Sequence, residues 1–279
     1  MKIAVTGANG YIGRHVVATL MEQGHTVTAI DINFEIEDEK NIVADIFDFS
    51  QDPYKKFNSP DALVHLAWQD GFRHNSNSHL INVANHYNFI RIMAEGGCKN
   101  ISVMGTMHEC GFIEGRINAA TPCNPLNLYG IAKNALRQSL LLLANQIGFS
   151  LKWLRAFYIL GDDLKNHSLF CKILQLEKDG KKTFPFTKGN TLYDFISIDE
   201  LAQQISAAAV QTDITGIINV CSGEPVTLKE KVEDFIQKNH LKIRPEFGAF
   251  PDRIYDSKIV YGDVTQIKKI IAAGKTNND

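Results

Sequence analysis

The chain has 279 residues, of which 44% are hydrophobic, and a formal charge of −2 at pH 7. This length and apolar content suit one folded core with a small attached lobe, and the lack of net positive charge argues against a nucleic-acid-binding protein. No apolar run approaches the length of a membrane span, and the N-terminus resembles a strand rather than a signal peptide. We therefore expect neither nucleic acid nor a membrane as a partner.

The five cysteines are scattered along the chain and form no C-x-x-C pair. This spacing indicates neither a disulfide framework nor a zinc site. We expect reduced cysteines, a cytoplasmic protein and no bound metal.

The first segment predicts a strand, a glycine-rich turn and a helix. Residues 2–5 are a short β-branched run, and residues 11–23 have amphipathic spacing. Between them, Gly7, Gly10 and Gly13 allow a tight turn, close approach of a pyrophosphate and close packing of helix on strand. The free N–H groups at the helix start would face the negative phosphates. The segment predicts a dinucleotide site.

The next predicted strand, residues 26–30, ends at Asp31. A carboxylate there would accept hydrogen bonds from an adenosine ribose and repel a 2′-phosphate. We therefore expect NAD(H) to bind in preference to NADP(H).

Strands and helices alternate through the first half of the chain, with strands predicted at 41–44, 61–66, 101–104 and 150–154 and helices at 78–95 and 128–146. Such alternation requires right-handed crossovers and a mostly parallel sheet. After residue 161 the pattern changes to helices at 166–178 and 197–210, an extended piece at 183–186 and a strand at 216–221. Thr227-x-x-Glu230 is a candidate capping box for a helix that runs to about residue 240.

Tyr129 and Lys133 stand four residues apart on a predicted helix, which places both side chains on one face. A tyrosine with its usual pKa near 10 is a poor base at neutral pH, whereas a nearby ammonium favours the phenolate. Tyr129 could then exchange a proton with a substrate while a nicotinamide exchanges the hydride. The pair indicates a redox enzyme.

Several motifs occur in order along nearly the whole chain: Thr-Gly-Ala-Asn-Gly-Tyr-Ile-Gly at 6–13, Ala44-Asp45-Ile46, His65-Leu66-Ala67, Tyr129-x-x-x-Lys133 and Tyr-Asp-Phe-Ile-Ser-Ile-Asp-Glu at 193–200. Together they resemble the extended short-chain dehydrogenase/reductases, in particular the NAD-dependent epimerase/dehydratase group that modifies nucleotide sugars. The resemblance implies an α/β fold, namely a Rossmann-type doubly wound parallel sheet with a small C-terminal substrate-binding lobe. It divides the chain into an NAD-binding domain at 1–160, with later strands from 190–222, and a lobe made of 161–189 and 223–279.

The resemblance also implies roles for individual residues. The catalytic candidates are Thr106, Tyr129 and Lys133, with Lys133 also binding the nicotinamide ribose. Asp45 resembles the aspartate that reaches the adenine ring. The full set of expected cofactor-binding residues is Gly7, Asn9, Gly10, Tyr11, Ile12, Gly13, Asp31, Asp45, Ile46, Leu66, Ala67, Tyr129 and Lys133.

Directly after Thr106, the chain departs from the pattern of similar enzymes. Sugar 4,6-dehydratases carry Asp-Glu after the threonine, whereas this chain has Met107-His108, so a dehydratase is not expected. His108 lies where GDP-fucose synthases place a cysteine acid/base, and an imidazole can move protons near neutrality, although it could equally pack locally. Glu109 could orient His108 or bind a sugar hydroxyl.

For the substrate, Tyr193 replaces the arginine that many relatives place near the diphosphate, while Arg253 resembles a C-terminal arginine with that role. Trp68 and Glu109 complete the expected substrate contacts. Residues 69–77 form a polar loop in which Arg73 and His74 could meet a substrate or be solvated.

The sequence therefore predicts an NAD-dependent nucleotide-sugar epimerase or 4-ketosugar reductase, with Tyr129 as acid/base. Two alternatives remain: a non-catalytic dinucleotide-sensing protein of the same fold, and a reductase of a non-sugar carbonyl compound. Retention of both Tyr129 and Lys133 favours an enzyme. By resemblance we expect a small-molecule substrate and a homodimer.

Overall fold

The computed structural model describes residues 1–34, 41–161, 169–251 and 257–276. Its strands are β1 (Lys2–Thr6), β2 (Thr26–Asp31), β3 (Asn41–Val43), β4 (Ala62–His65), β5 (Asn100–Thr106), β6 (Gly115–Ile117), β7 (Ser150–Ala156), β8 (Tyr158–Leu160), β9 (Thr183–Phe186), β10 (Leu192–Ser197), β11 (Gly216–Val220), β12 (Pro225–Thr227), β13 (Arg244–Phe247) and β14 (Ile259–Gly262). Its helices are α1 (Tyr11–Glu22), α2 (Pro53–Lys56), α3 (Ser78–Gly96), α4 (Leu128–Ile147), α5 (Leu169–Lys178), α6 (Ile198–Val210), α7 (Leu228–Lys238) and α8 (Thr265–Thr276).

The main sheet is parallel throughout, with the strand order β11-β7-β5-β4-β1-β2-β3. The order reverses between β1 and β4, and ligands of such sheets bind outside the carboxyl ends of the strands at this switch point. Thr6, His65 and Thr106 end β1, β4 and β5 at that edge. The topology therefore collects the motifs of the sequence at one place.

Helices cover both faces of this sheet. One apolar core joins β1 to helices α1, α6 and α8 through Ile3, Val16, Leu201 and Ile270, among others. The second core joins the sheet to α3 and α4 through residues such as Ile90, Met93, Ile101, Leu136 and Leu140. Because each face is buried by its own helical layer, the molecule has a doubly wound Rossmann-type fold, which confirms the predicted fold class.

A smaller lobe stands over the carboxyl edge. Its sheet has the order β12-β10-β14-β6, β8 pairs with β10, and β9 pairs with β13. Its aromatic core comes from α5, β9, β10 and α7 and includes Phe170, Phe184, Phe186, Phe195 and Val232. The predicted capping box is present: Thr227 Oγ1 accepts from Glu230 N at 3.1 Å, and the Glu230 carboxylate accepts from Thr227 N.

Two segments, β10 and α8, do not lie in the part of the molecule that the expected division into an NAD-binding domain and a lobe assigns to them. β10 belongs to the smaller sheet, whereas β11 extends the main sheet next to β7. Helix α8 lies within the segment expected in the lobe, but Ile267 and Ile270 pack against α6 and β11. The reason is that α8 carries apolar residues on the side that packs against α6 and β11. Of the helices in the described parts of the chain, none is long and apolar enough to cross a membrane.

Candidate active site

The glycine-rich turn lies directly against the end of β4. Gly7 has φ 71°, and a Cβ atom there would stand 2.7 Å from the backbone nitrogen of Ala67. A Cβ atom on Gly13 would overlap the carbonyl oxygen of Gly7. Only glycine fits these two positions, and Gly10 is the N-cap of α1. The turn is thus a backbone-lined cradle at a helix N-terminus, which fits the pyrophosphate of a dinucleotide.

Asp31 lies beside this turn at the end of β2. Its carboxylate accepts hydrogen bonds from Asn9 N at 2.9 Å and from Ile32 N at 2.8 Å. Asp45 follows β3 at the same edge, because Ala44 N donates to Asp31 O at 2.8 Å. Leu66 N donates to Thr6 O at 3.1 Å, next to the glycines. The expected cofactor residues are thus brought together along one edge of the sheet, with Tyr11 and Ile12 in the first turn of α1 and buried Ile46 beside Asp45.

The predicted triad is assembled from β5 and α4. Helix α4 begins after Asn127, whose side chain accepts from Gly130 N at 2.8 Å. This cap directs Tyr129 toward the end of β5, where the Thr106 hydroxyl is near enough to lower the pKa of the phenol. Lys133, one turn further, is buried, and its Nζ donates to Met104 O at 2.7 Å.

Desolvation is the largest cause of the pKa shifts of Tyr129 and Lys133. Desolvation raises the pKa of Tyr129, although the hydrogen bond from Thr106 lowers it. Desolvation also lowers the pKa of Lys133 to about 7. Lys133 Nζ stands 3.7 Å from the ring centre of Trp68 and 5.9 Å from that of Tyr129. The expectation that Lys133 lowers the Tyr129 pKa is not met in this arrangement, because the ammonium points to the indole and a carbonyl.

Two histidines cover Tyr129 on the side of the lobe. The His74 ring stacks on Tyr129 with centroids 5.4 Å apart and planes 10° apart, and Tyr129 N donates to His74 O at 2.9 Å. The His108 ring lies 4.6 Å from His74 and 6.2 Å from Tyr129. Burial, followed by the neighbouring His74, lowers the pKa of His108 to about 4. His108 is therefore neutral at pH 7.

Tyr129 also meets Trp68, whose indole contacts two further histidines, and a third histidine lies behind one of them. Trp68 stacks on His86 at 4.5 Å, and its Nε1 donates to His79 Nδ1 at 3.0 Å. His65 Nε2 and His86 Nδ1 share a hydrogen bond of 2.9 Å, while His65 Nδ1 bonds Thr6 Oγ1 at 2.8 Å. Burial and then Lys133 lower the pKa of His65 to about 3. We call His65, His74, His79, His86 and His108 the histidine cluster.

Glu109 does not face the substrate, so the prediction that it binds a sugar hydroxyl is wrong. Its side chain is fully buried behind β5. One oxygen accepts from Thr106 N and Trp153 Nε1, both at 2.8 Å, and the other lies within 3.4 Å of Arg137 and Arg155. Because a buried carboxylate needs charged partners, Glu109 pairs inward and positions Thr106.

A cavity of about 430 Å³ opens beside the triad, between the main sheet and the lobe. It is lined by residues from both parts, including His74, Met107, His108, Leu126, Tyr158 and Tyr193. Tyr193 packs on Tyr158 with ring centroids 4.3 Å apart. The predicted substrate residue Arg253 lies outside the described residues. Arg73 is mostly exposed and pairs with Asp70 rather than lining the cavity.

Sequence reasoning named neither Tyr158 nor His79 and His86, and it left His74 undecided. The available signal was the density of histidines between residues 65 and 108, but the packing that brings them to Tyr129 is not visible in any local motif. Over the described ranges, no group of histidine, cysteine and carboxylate side chains has the geometry of a metal site.

Comparison with known proteins gives the following similarities. The model of the NAD dependent epimerase/dehydratase family matches residues 3–221. The dTDP-6-deoxy-L-talose 4-dehydrogenase (NAD(+)) of Aggregatibacter actinomycetemcomitans is 48% identical over 271 residues, covering 94% of this chain and 99% of that protein.

Solved structures with lower identity share the fold. The UDP-Glc/GlcNAc 4-epimerase of Campylobacter jejuni superposes with a TM-score of 0.81 at 19% identity, covering 96% of this chain and 92% of that one. A dTDP-glucose 4,6-dehydratase of Streptomyces venezuelae with NAD bound gives a TM-score of 0.80 at 18% identity, covering 96% of this chain and 90% of that one.

Proposed function

Because the chain belongs to the NAD dependent epimerase/dehydratase family, we propose that it is an NAD-dependent 4-dehydrogenase of a dTDP-linked 6-deoxy sugar, which reduces the 4-keto sugar in the reverse direction. The observation that carries the proposal is the 48% identity to a dTDP-6-deoxy-L-talose 4-dehydrogenase over 94% of this chain. The chain is an enzyme of the extended short-chain dehydrogenase/reductase type, not a non-catalytic sensor.

The residues at the carboxyl edge fit NAD. The turn at Gly7 and Gly13 leaves no room for a Cβ atom, and the Asp31 carboxylate lies at the end of β2 beside it. The proposed cofactor residues are these three together with Leu66 and Ala67 at the end of β4. These residues would hold NAD, and its nicotinamide would supply or take up the hydride at the sugar carbon.

Tyr129 is the proposed acid/base. Its raised pKa keeps the phenol protonated, which is the form that donates a proton to a ketone oxygen in the reductive direction. The Thr106 hydroxyl, which lowers the pKa of this phenol, would hold the same substrate oxygen. Lys133 Nζ is held by Met104 O at 2.7 Å and stands 5.9 Å from the centre of the Tyr129 ring, and its proposed role is to bind the nicotinamide ribose.

The lining of the cavity supports a 6-deoxy sugar. Met107, Leu126 and Val260 are among its lining residues, and apolar side chains suit a methyl group at carbon 6 better than a hydroxyl. Met107 and His108 follow Thr106 where a dehydratase carries two carboxylates, so no acid and base pair for water elimination is present at these positions.

The test is a panel of nucleotide sugars and their 4-keto derivatives, incubated with NAD⁺ or NADH while the absorbance of the reduced cofactor is followed. We expect net NADH formation with dTDP-6-deoxy-L-talose and net consumption with its 4-keto form. A non-sugar carbonyl compound that is turned over faster than every sugar would contradict the proposal.

Epimerisation is the second candidate, because His108 lines the cavity 6.2 Å from Tyr129 and could act as a second acid/base. A carbon next to a ketone must then lose a proton to the imidazole and regain it on the other face. The pKa of about 4 makes His108 a weak base, and this favours the dehydrogenase.

The protein is proposed to act as a homodimer in the cytoplasm. Ile81 on α3 and Leu142 on α4 are exposed by 71% and 66%, and α3 packs beside α4, so that a partner could cover both. None of the five cysteines, all of which lie in the described ranges, forms a disulfide, and this suits a reducing compartment. Sedimentation of wild type against Leu142→Lys tests the dimer: a monomeric variant is expected, and a monomeric wild type would contradict it.

A further inference from the structure

Two cysteines meet behind the catalytic turn. Cys110 follows the 3₁₀ turn Met107–Glu109, and Cys123 lies in the loop that leads to α4. Their sulfur atoms are 4.0 Å apart, and Asn124 N donates to Cys110 O at 3.2 Å, so the two segments run side by side. Cys110 is fully buried, whereas Cys123 is partly exposed.

The surroundings of Cys123 favour a thiolate. Arg137 Nη2 donates to its sulfur at 3.5 Å and Arg155 Nη2 at 3.7 Å. The hydrogen bond from the Cys110 thiol, assisted by these guanidinium groups, lowers the pKa of Cys123 to about 6. The same hydrogen bond and burial raise the pKa of Cys110. The pair therefore contains one nucleophilic sulfur and one thiol that keeps its proton.

We propose that Cys123 and Cys110 form a hydroperoxide-sensitive dithiol. The Cys123 thiolate attacks the terminal oxygen of a hydroperoxide, the O–O bond breaks, and a sulfenic acid and an alcohol or water result. The Cys110 sulfur then attacks the Cys123 sulfur, its proton leaves with the hydroxyl group as water, and a disulfide forms. The two thiols give up two electrons, which the hydroperoxide accepts.

Formation of the disulfide requires only a small movement of the two sulfur atoms, which are 4.0 Å apart. A disulfide has a sulfur separation of about 2 Å, so the sulfur atoms must approach by about 2 Å. The bond would tie the turn that carries His108 to the loop that ends at Asn127, the N-cap of α4. It would also remove the thiolate that faces Arg137 and Arg155. Because Met107 and His108 line the cavity, oxidation should lower turnover.

Cys98 provides a matched control. It is a buried cysteine at the amino end of the main sheet, and burial raises its pKa to about 12. At neutral pH it holds its proton and should resist peroxide, so Cys98→Ser should behave as the wild type does.

The direct experiment treats the whole protein with one equivalent of hydrogen peroxide at pH 7 and maps thiols by alkylation and mass spectrometry. We expect the loss of two hydrogen atoms, a peptide that joins Cys110 to Cys123, and full reversal by dithiothreitol. Cys123 should react about tenfold faster than a thiol of ordinary pKa. In Cys110→Ser, the reaction should stop at a sulfenic acid on Cys123 that dimedone captures. A wild type that reacts no faster than Cys123→Ser, or a bond between other cysteines, would overturn the proposal.

These readouts need no sugar substrate, so they stand apart from the proposed activity. With an accepted substrate, turnover of the oxidised wild type should fall and recover with dithiothreitol, whereas Cys123→Ser should keep its activity through the treatment. If the disulfide forms and turnover is unchanged, the link to the catalytic turn is wrong.

Discussion

The two ends of the candidate site are built by different means. At the dinucleotide end, Gly7, Gly13 and Asp31 act through backbone shape and one carboxylate. At the substrate end, the histidine cluster, Trp68 and Tyr129 act through side chains packed ring against ring. The first end leaves no room for a Cβ atom at Gly7 or Gly13, whereas the second contains groups, among them Tyr129 and His108, whose pKa is shifted by burial. We infer that cofactor choice resides at the first end, and that chemistry and pH sensitivity reside at the second.

The largest effect is expected from Tyr129→Phe. Loss of the phenol should lower turnover about 10²–10⁴-fold, since general acid/base catalysis contributes that much. NADH affinity should change little, because the turn at Gly7 is untouched. Kinetics and calorimetric titration separate the two effects, with Tyr54→Phe, which lies against Gly96, as a control. Turnover at the wild-type rate would remove Tyr129 from the mechanism.

Acid should destabilise the substrate end. His108 has a pKa of about 4 in the folded protein against 6.5 when exposed, so the unfolded chain binds the proton first as pH falls. Stability is therefore fully present above pH 6.5 and is lost progressively down to about pH 4. His108 contributes to this loss because the fold lowers its pKa.

Urea unfolding of wild type and His108→Gln at several pH values checks this. The slope of unfolding free energy against pH should be shallower in the variant. Equal slopes would show that His108 is not held neutral by the fold.

Asp31→Asn should change cofactor preference at the dinucleotide end. The amide keeps the shape of the side chain but removes the charge that repels a 2′-phosphate, so the ratio of NADPH to NADH affinity should rise by about tenfold. Asp213→Asn, in an exposed loop, is the control. Titration of both cofactors measures the ratio, and a wild type that prefers NADPH would contradict the role given to Asp31.

The smallest effect is expected for the exchange of carbon-bound hydrogen of the sugar with solvent. If His108 served as a carbon acid/base, an accepted sugar would take up deuterium from heavy water next to carbon 4, and His108→Ala would abolish this uptake. For a 4-dehydrogenase we expect no uptake in either protein. Nuclear magnetic resonance of the recovered sugar detects it, and clear uptake by wild type would favour the epimerase.

The same contrast explains how much could be predicted from sequence. The glycine turn, Asp31 and the capping box at Thr227 are contiguous patterns imposed by backbone geometry, and the structure has them where the sequence predicts them. The order of β1 to β5 also follows from alternating apolar runs. These features depend on neighbours within a few residues.

The substrate end depends on contacts between distant segments. The sequence predicts that Glu109 faces the substrate because it follows His108. In the structure its carboxylate instead contacts Arg137, Arg155 and Trp153, which belong to other elements. The spacing of Lys133 and Tyr129 predicts that the ammonium faces the phenol. In the structure Lys133 Nζ instead lies 3.7 Å from the centre of the Trp68 ring. Such pairings form only when the sheet and α4 pack, so no local pattern contains them.

The destination of the hydrogen at carbon 4 distinguishes a dehydrogenase from an epimerase. A dTDP-linked 6-deoxy sugar that carries deuterium at carbon 4 can be incubated with the enzyme and excess NAD⁺, and both products analysed by mass spectrometry. We predict deuterium in the reduced cofactor in an amount equal to the 4-keto sugar formed. Deuterium that returns to an inverted carbon 4, with no NADH accumulating, would contradict the account and identify an epimerase.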